Sequence, residues 1–403
     1  MNIKETKYGI YNNPYRFIII FSLALCQIGL QLSVVQTATL GNYVMEFFNI
    51  NTAQFAALTV VSFLAGAVFG IPAGILADKF SIKKVAAVSM VLATIGAFWR
   101  ISTQTYITTF IAQFLIGLAM AALSSNAPKL IAQWFNGKAM GFAMGLYVAC
   151  ATIGSMVAMA TSNLFSGIRQ AYLMAAIIIC VSAIIWILLV RNNPAAPKQT
   201  ADNTLKYMKN VIGSKNLWLA SFAAFFNMGA LLTAGNFAVV GFISKGIDPV
   251  VAGLMGSITA ACSLVGNIIL PTVLAKTGHR KVGCIVTAIA GGIISAIGYC
   301  MPFSVGSMVI FCLGYFITAG CLPVIKSYPA LIKDIDPKAV GSAGGLQSTL
   351  QNLGAFLLPS YIIAAICGSN YNAIFIGVCI SFIITAIIAC FLPSCDNEND
   401  KTD

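Results

Sequence analysis

The sequence predicts an all-α membrane protein of 12 transmembrane helices arranged as two pseudo-symmetric six-helix bundles. Three observations carry this: scarcity of charge, long apolar runs, and an internal repeat. Of 403 residues, 59% are hydrophobic and only 8% charged, with a mean hydropathy of +0.90. Soluble domains carry roughly 25% charged residues, so lipid is the better solvent for this surface. In lipid every backbone polar group must pair internally, which leaves helices or closed barrels. A barrel would show alternating segments of ~10 residues. Here the apolar runs are long enough for helices, which need about 20 residues to span.

The spans read as 14–40, 54–77, 82–100, 105–133, 138–162, 171–190, 216–243, 249–275, 281–301, 306–331, 338–366 and 371–392. Lys and Arg between them set the orientation. One set of loops holds Lys4, Lys7 and Arg16, then Lys79, Lys83 and Lys84, then Lys138, then Arg191 to Lys215, then Lys276, Arg280 and Lys281, then Lys333, Lys338 and Lys401. The opposite set holds only Arg100, Arg169 and Lys245. Both termini are therefore expected on the cytoplasmic side of a plasma membrane. The net charge of +12 then reports topology, and no nucleic-acid partner is expected because no basic soluble domain is present. The first apolar run is too long for a cleaved signal segment. The polar stretch Arg191 to Lys215 divides the chain into an N-terminal bundle (1–190), a linker (191–215) and a C-terminal bundle (216–403), with room in the linker for a short surface helix over Asp202 to Ile212.

The halves match on a shift of 200 residues. Gln27-Ile28-Gly29 aligns with Asn227-Met228-Gly229, Gln36 with Asn236, and Gly141, Gly145, Leu146 and Gly154 with Gly341, Gly345, Leu346 and Gly354. In spans 4 and 10 the shift is 197, pairing Phe114, Gly117 and Lys129 with Phe311, Gly314 and Lys326. Between spans 2 and 3 the chain reads Gly74-Ile-Leu-Ala-Asp78-Lys79-Phe-Ser81-Ile-Lys83-Lys84. This resembles the signature loop of the major facilitator superfamily, with Ser81 where a glycine is expected and Ile82 ahead of the closing lysines. Parallel repeats of six spans also describe that superfamily. The resemblance implies the fold, alternating-access transport, and a gating role for Gly74, Asp78, Lys79, Lys83 and Lys84. A simpler reading makes Asp78 a charge that ends span 2. The second-half counterpart, Leu274 to Lys281, lacks the aspartate.

Charge inside a bilayer costs about 2.5 kcal/mol or more at mid-depth and marks function. None of the 11 acidic residues falls at mid-membrane, and the only histidine, His279, lies in a loop. Proton-coupled symporters and drug antiporters of the superfamily commonly use an embedded carboxylate, and the antiporters a Gly-Pro pair in span 5; both are missing. The 12 cysteines form no CxxC or Cys/His cluster, so no metal is expected, and no phosphate-binding loop suggests ATP use or an enzyme. No cofactor is expected.

Two embedded cations remain, Lys129 and Lys326, each beside a proline-containing stretch (Ser124 to Pro128, and Cys321 to Pro323). The resemblance puts spans 1, 4, 7 and 10 around a central pathway, where the lysines would form a positive site for a small anion. Alternatively both snorkel to the interface, since Lys129 precedes Trp134 by five residues, about 7.5 Å of helix. Gln27 and Gln31 share a face of span 1. Asn227 and Asn236 on span 7, and the equivalent Tyr147 and Gln347 on spans 5 and 11, complete the candidate substrate-binding set, with amide glue between helices as the alternative. Gln113 stands four residues before Gly117, where relatives often carry arginine. Arg100, after Phe98-Trp99, reads as an interfacial anchor, and the Gly141/Gly145 and Gly341/Gly345 pairs as close-packing sites.

The junction Asn126-Ala-Pro-Lys129-Leu-Ile-Ala-Gln-Trp134-Phe135, followed by Gly141-Phe-Ala-Met-Gly145, resembles the nitrate/nitrite, oxalate/formate and cyanate-type anion branches, and more distantly animal heme- and choline-associated transporters. The cations that the first two branches place in spans 2, 8 and 11 are absent. The expectation is a monomeric secondary carrier of a small anion, with export of a hydrophobic or cationic compound as the alternative.

Overall fold

The computed structural model describes residues 14–135, 137–165, 167–191, 193, 211–332, 334–335 and 339–393. Its helices are α1 (Tyr15–Thr39), α2 (Gly41–Phe48), α3 (Thr52–Phe80), α4 (Ile82–Ser102), α5 (Tyr106–Trp134), α6 (Gly137–Thr161), α7 (Ile168–Leu189), α8 (Lys215–Ser244), α9 (Pro249–Thr277), α10 (Arg280–Cys300), α11 (Val305–Ala319), α12 (Cys321–Leu331), α13 (Val340–Leu357), α14 (Ala364–Cys367) and α15 (Tyr371–Cys390). Twelve spans are long and apolar enough to cross a membrane, as the sequence predicts. Residues 211–213 are helical, the described end of the helix expected over 202–212.

Local chemistry explains the boundaries. Thr105, Ser214, Asp248, Ser304 and Asn370 each cap a helix by accepting a backbone N–H, which satisfies one of the donors a helix start leaves open. The tenth span is two helices: α11 ends at Gly320 and α12 begins at Cys321. Pro323 thus falls in the first turn of α12, where it removes no hydrogen bond, and the break precedes it. In the fourth span α5 runs through Pro128 as one helix. A π-helical stretch, Leu358–Ile363, follows α13 and contains Pro359, whose missing N–H disfavours a regular α-turn there.

By contacts the chain divides into two compact units, Met1–Asn49 with Val61–Ala201, and Ile50–Val60 with Asp202–Asp403. The first turns of α3 group with the second unit. Within the first unit, an added Cβ at Gly154 on α6 would meet the carbonyl oxygen and Cα of Ile28 on α1. Within the second, one at Gly354 on α13 would meet the carbonyl of Phe225 on α8. Backbone lies against backbone at both places, and only glycine leaves that room.

These contacts correct the register of the repeat. They pair Ile28 with Phe225, a shift of 197 for spans 1 and 7, the shift that already relates Lys129 to Lys326. Matching Gln27 to Asn227 slips that helix by three residues. The Gly145 and Gly345 reading also changes: an added Cβ at either meets nothing within 4 Å, so neither is a close-packing site. Gly141 and Gly341 lie outside the side chains described.

Candidate functional site

In the first unit the candidate residues gather where α5 crosses α3. Both helices carry an interior proline there, Pro128 and Pro72. Polar side chains of α5 donate to α3 carbonyls: Ser125 Oγ to Gly70 at 2.7 Å, Asn126 Nδ2 to Ala73 at 3.3 Å, and Lys129 Nζ to Gly74 at 3.4 Å. Gly74 leaves its carbonyl open to the half-buried ammonium; a Cβ there would stand 4.0 Å from Nζ. A candidate substrate lysine and a candidate gating residue are therefore one structure. Asp78 lies one turn further along α3, and its side chain is outside those described. Lys79 and Lys84 are exposed and Lys83 half-buried.

The loop itself is a single residue. Ser81 separates α3 from α4 with φ 97°, in the region that favours glycine. The glycine expected by the superfamily pattern at this place therefore has a backbone reason, and Ser81 meets it with strain.

Elsewhere in this unit, Gln27 and Gln31 are half-buried on α1. Tyr147 is buried in the apolar core with Cys26, Leu30 and Leu123, so it packs rather than lining an open surface. In the second unit Lys326 is exposed on α12, and Gln347 Nε2 donates to the carbonyl of the adjoining Ile325 at 2.9 Å. Asn236 donates to Thr59 Oγ1 at 3.1 Å. Asn227 is fully buried and both its amide atoms lack a partner. Nine residues of helix turn through about 900°, so Asn227 and Asn236 face opposite ways and do not form one amide face.

A further polar centre was not legible as such. Arg100 is 1% exposed. Its guanidinium donates to Ser33 O at 2.8 Å, Thr37 Oγ1 at 3.2 Å, Gln113 Oε1 at 2.8 Å and Gln36 Oε1 at 3.4 Å, and lies 3.8 Å from the centre of the Tyr172 ring. It joins α1, α4, α5 and α7 and is no interfacial anchor. The available signal was Gln113: the amide stands where relatives often have arginine, and the guanidinium reaches it from α4 instead. Gln36 accepts from Arg100 and donates Nε2–H to Ala171 O at 2.8 Å, so both ends of its amide are committed.

Twelve apolar spans in two units, each with a lysine set into its fourth span, describe a polytopic membrane transporter. Residues 19–359 match the family model of the Major Facilitator Superfamily, and the chain belongs to that superfamily. Among solved structures, it is similar to a bacterial homologue of the human lysosomal transporter Spinster in an inward-facing, unoccupied conformation, with TM-score 0.76 and 16% identity over 95% of this chain and 96% of that one. It is also similar to a point mutant of the nucleoside transporter NupG, with TM-score 0.75 and 18% identity over 93% of this chain and 99% of that one. At these identities the likeness is one of fold.

Proposed function

We propose that the chain is a secondary carrier of a small anionic solute, working by alternating access in the plasma membrane with both termini cytoplasmic. The observation that supports this reading is the pair Lys129 and Lys326. Both fall on the 197 shift that the Gly154–Ile28 and Gly354–Phe225 contacts also give, so each unit contributes a cation at an equivalent helix position. No Asp or Glu lies within any of the 12 spans, which leaves the spans without an embedded carboxylate to carry a proton in exchange for a cation. The Gly74 to Lys84 loop would gate, with Lys129 exchanging its Gly74 carbonyl for solute as the gate moves. Gln27, Gln31 and Gln347 would supply donors. The superfamily fold serves a nucleoside transporter as well, so the anion reading rests on the lysines and not on the fold.

Counterflow in proteoliposomes, with a panel of radiolabelled anions and cations, tests it. Anion exchange is expected, and Lys129→Gln and Lys326→Gln should each lower it by about tenfold or more, the worth of one charge-assisted contact. Export of a hydrophobic or cationic compound predicts the reverse: cation counterflow, unchanged or improved in the same variants.

A further inference from the structure

In the first unit a groove of about 440 Å³ opens between α3, α4 and α5. Phe69, Leu76 and Phe80 line it from α3, Val88 and Leu92 from α4, and Leu118 from α5. Leu76, Phe80 and Val88 are exposed, so the groove faces outward and not into the packed core of the unit. Two polar side chains share the lining, Lys84 and Ser89. Ser89 Oγ donates to the carbonyl of Val85 on its own helix at 2.9 Å. Lys84 is the one charged group in the wall.

The groove has the depth of one lipid leaflet. Phe80 lies eleven residues after Phe69, about 16.5 Å along α3, and half of a bilayer's hydrocarbon core is about 15 Å. At the far end the Phe69 ring meets that of Phe114 on α5, with centroids 6.1 Å apart. The near end lies where residues 78–81 separate two membrane spans, Thr52–Ala77 and Ile82–Ser102, which sets the mouth at headgroup level. Lys84 stands there in the first turn of α4, and Lys79 lies 5.3 Å over the Phe80 ring. From residue 78 to 84 the chain carries three lysines and one aspartate, so the mouth keeps positive charge even with Asp78 paired. Any lipid chain can fill an apolar groove in a bilayer. The lysines select the headgroup above it, because basic residues at the membrane surface attract anionic lipids.

We infer that this groove is a binding site for an anionic phospholipid, with one acyl chain lying between α3 and α4 as far as Phe69 and the phosphate at Lys84 and Lys79. Neither Lys129 nor Lys326 lines it, so the site is separate from the proposed solute pathway and is tested without a transport measurement. Because α3 and α4 meet at the single-residue Ser81 turn, a lipid seated here bridges the two helices on either side of that turn.

Phosphatidylglycerol with a diazirine at the end of one acyl chain tests this, photolysed with the full-length protein in phosphatidylcholine nanodiscs. Adducts are expected on the peptides that carry Phe69, Leu92 and Leu118, and unlabelled phosphatidylglycerol in the nanodisc should compete them away. The same probe with a phosphatidylcholine headgroup should not concentrate there. Lys84→Gln should weaken the phosphatidylglycerol labelling about fivefold, the worth of one lysine at a membrane surface, and Lys84→Arg should keep it. Val88→Trp, at an exposed position of the wall, should lower the adducts of either headgroup by laying an indole across the groove. The inference is overturned if both probes label the groove alike, if the adducts that phosphatidylglycerol competes away fall outside α3, α4 and α5, if Lys84→Gln labels as the parent does or Lys84→Arg labels as Lys84→Gln does, or if Val88→Trp leaves the adducts unchanged.

Discussion

Each unit ties its first, third, fourth and sixth spans together with one cluster, and the two clusters have opposite chemistry. In the first, the third-span residue Arg100 lies on the sixth-span ring of Tyr172, with first-span Gln36 and fourth-span Gln113 as acceptors. In the second, the third-span residue Tyr299 stacks on sixth-span Phe375 at 3.8 Å, with first-span Phe242 and fourth-span Phe311 closing the cluster at 5.8 and 6.0 Å. A cation also stands by in the second unit, but outside the cluster: Lys245, just past α8, lies 4.1 Å over the Tyr299 ring and donates to the Met301 carbonyl at 3.2 Å. Burial holds its ammonium below the ordinary lysine range. The repeat therefore keeps its backbone contacts and exchanges its side-chain chemistry. Packing geometry is shared, while the buried charge belongs to one unit.

The shared part should be the most fragile. Gly154→Leu and Gly354→Leu each drive a side chain into the carbonyl of the facing helix. Overpacking against backbone costs about 3 kcal/mol or more, so both variants should lose monodisperse protein in size-exclusion chromatography. Gly345→Ala, with no neighbour within 4 Å, should elute and melt as the parent does. Equal tolerance of all three would remove the 197 register.

The exchanged part should be costly in one unit only. Arg100→Met gives up several hydrogen bonds from a charged donor and strands the Gln113 oxygen in the core. Such bonds are worth about 1.5–3 kcal/mol each, offset by the relieved desolvation of the cation, so a net loss of about 3 kcal/mol is expected in thermal unfolding. Adding Gln113→Leu removes the stranded amide, whose Nε2 already lacks a partner, and should recover part of the loss. Strict additivity of the two changes would show that Arg100 and Gln113 do not act together.

Much of the fold was legible because it depends on residue class. Apolar run length marks every one of the 12 spans, and loop lysines mark their ends. The site was legible only in part, because it depends on register and direction. Lys129 stood out as a cation in an apolar span, yet nothing in its spacing says that it donates to Gly74. Arg100 was misread because aromatic neighbours such as Phe98 and Trp99, 41% and 38% exposed, announce an interface; the arginine turns inward from the same helix end. Asn227 and Asn236 looked like a pair because both align with glutamines on a 200 shift, yet nine residues of one helix set them on opposite faces. An alignment tolerates such a spacing, whereas a site does not.

The smallest expected effect concerns the turns that start the third span of each unit. In the first unit Ser81 holds φ 97°; in the second, Gly278 ends α9 at φ 72°. A left-handed conformation costs a residue with a Cβ roughly 1–2 kcal/mol and glycine little. Ser81→Gly should therefore stabilise by about 1 kcal/mol, and Gly278→Ser should destabilise by a similar amount. In a protein of this size such changes move Tm by about 2 °C, which differential scanning fluorimetry of the parent and both variants resolves. Opposite signs would show that both turns demand a positive φ, at ψ 146° for Ser81 and 7° for Gly278, with Ser81 storing strain that Gly278 avoids. A loss of stability in Ser81→Gly would mean that the serine side chain contributes more than the strain it carries, and the two turns would then differ in kind.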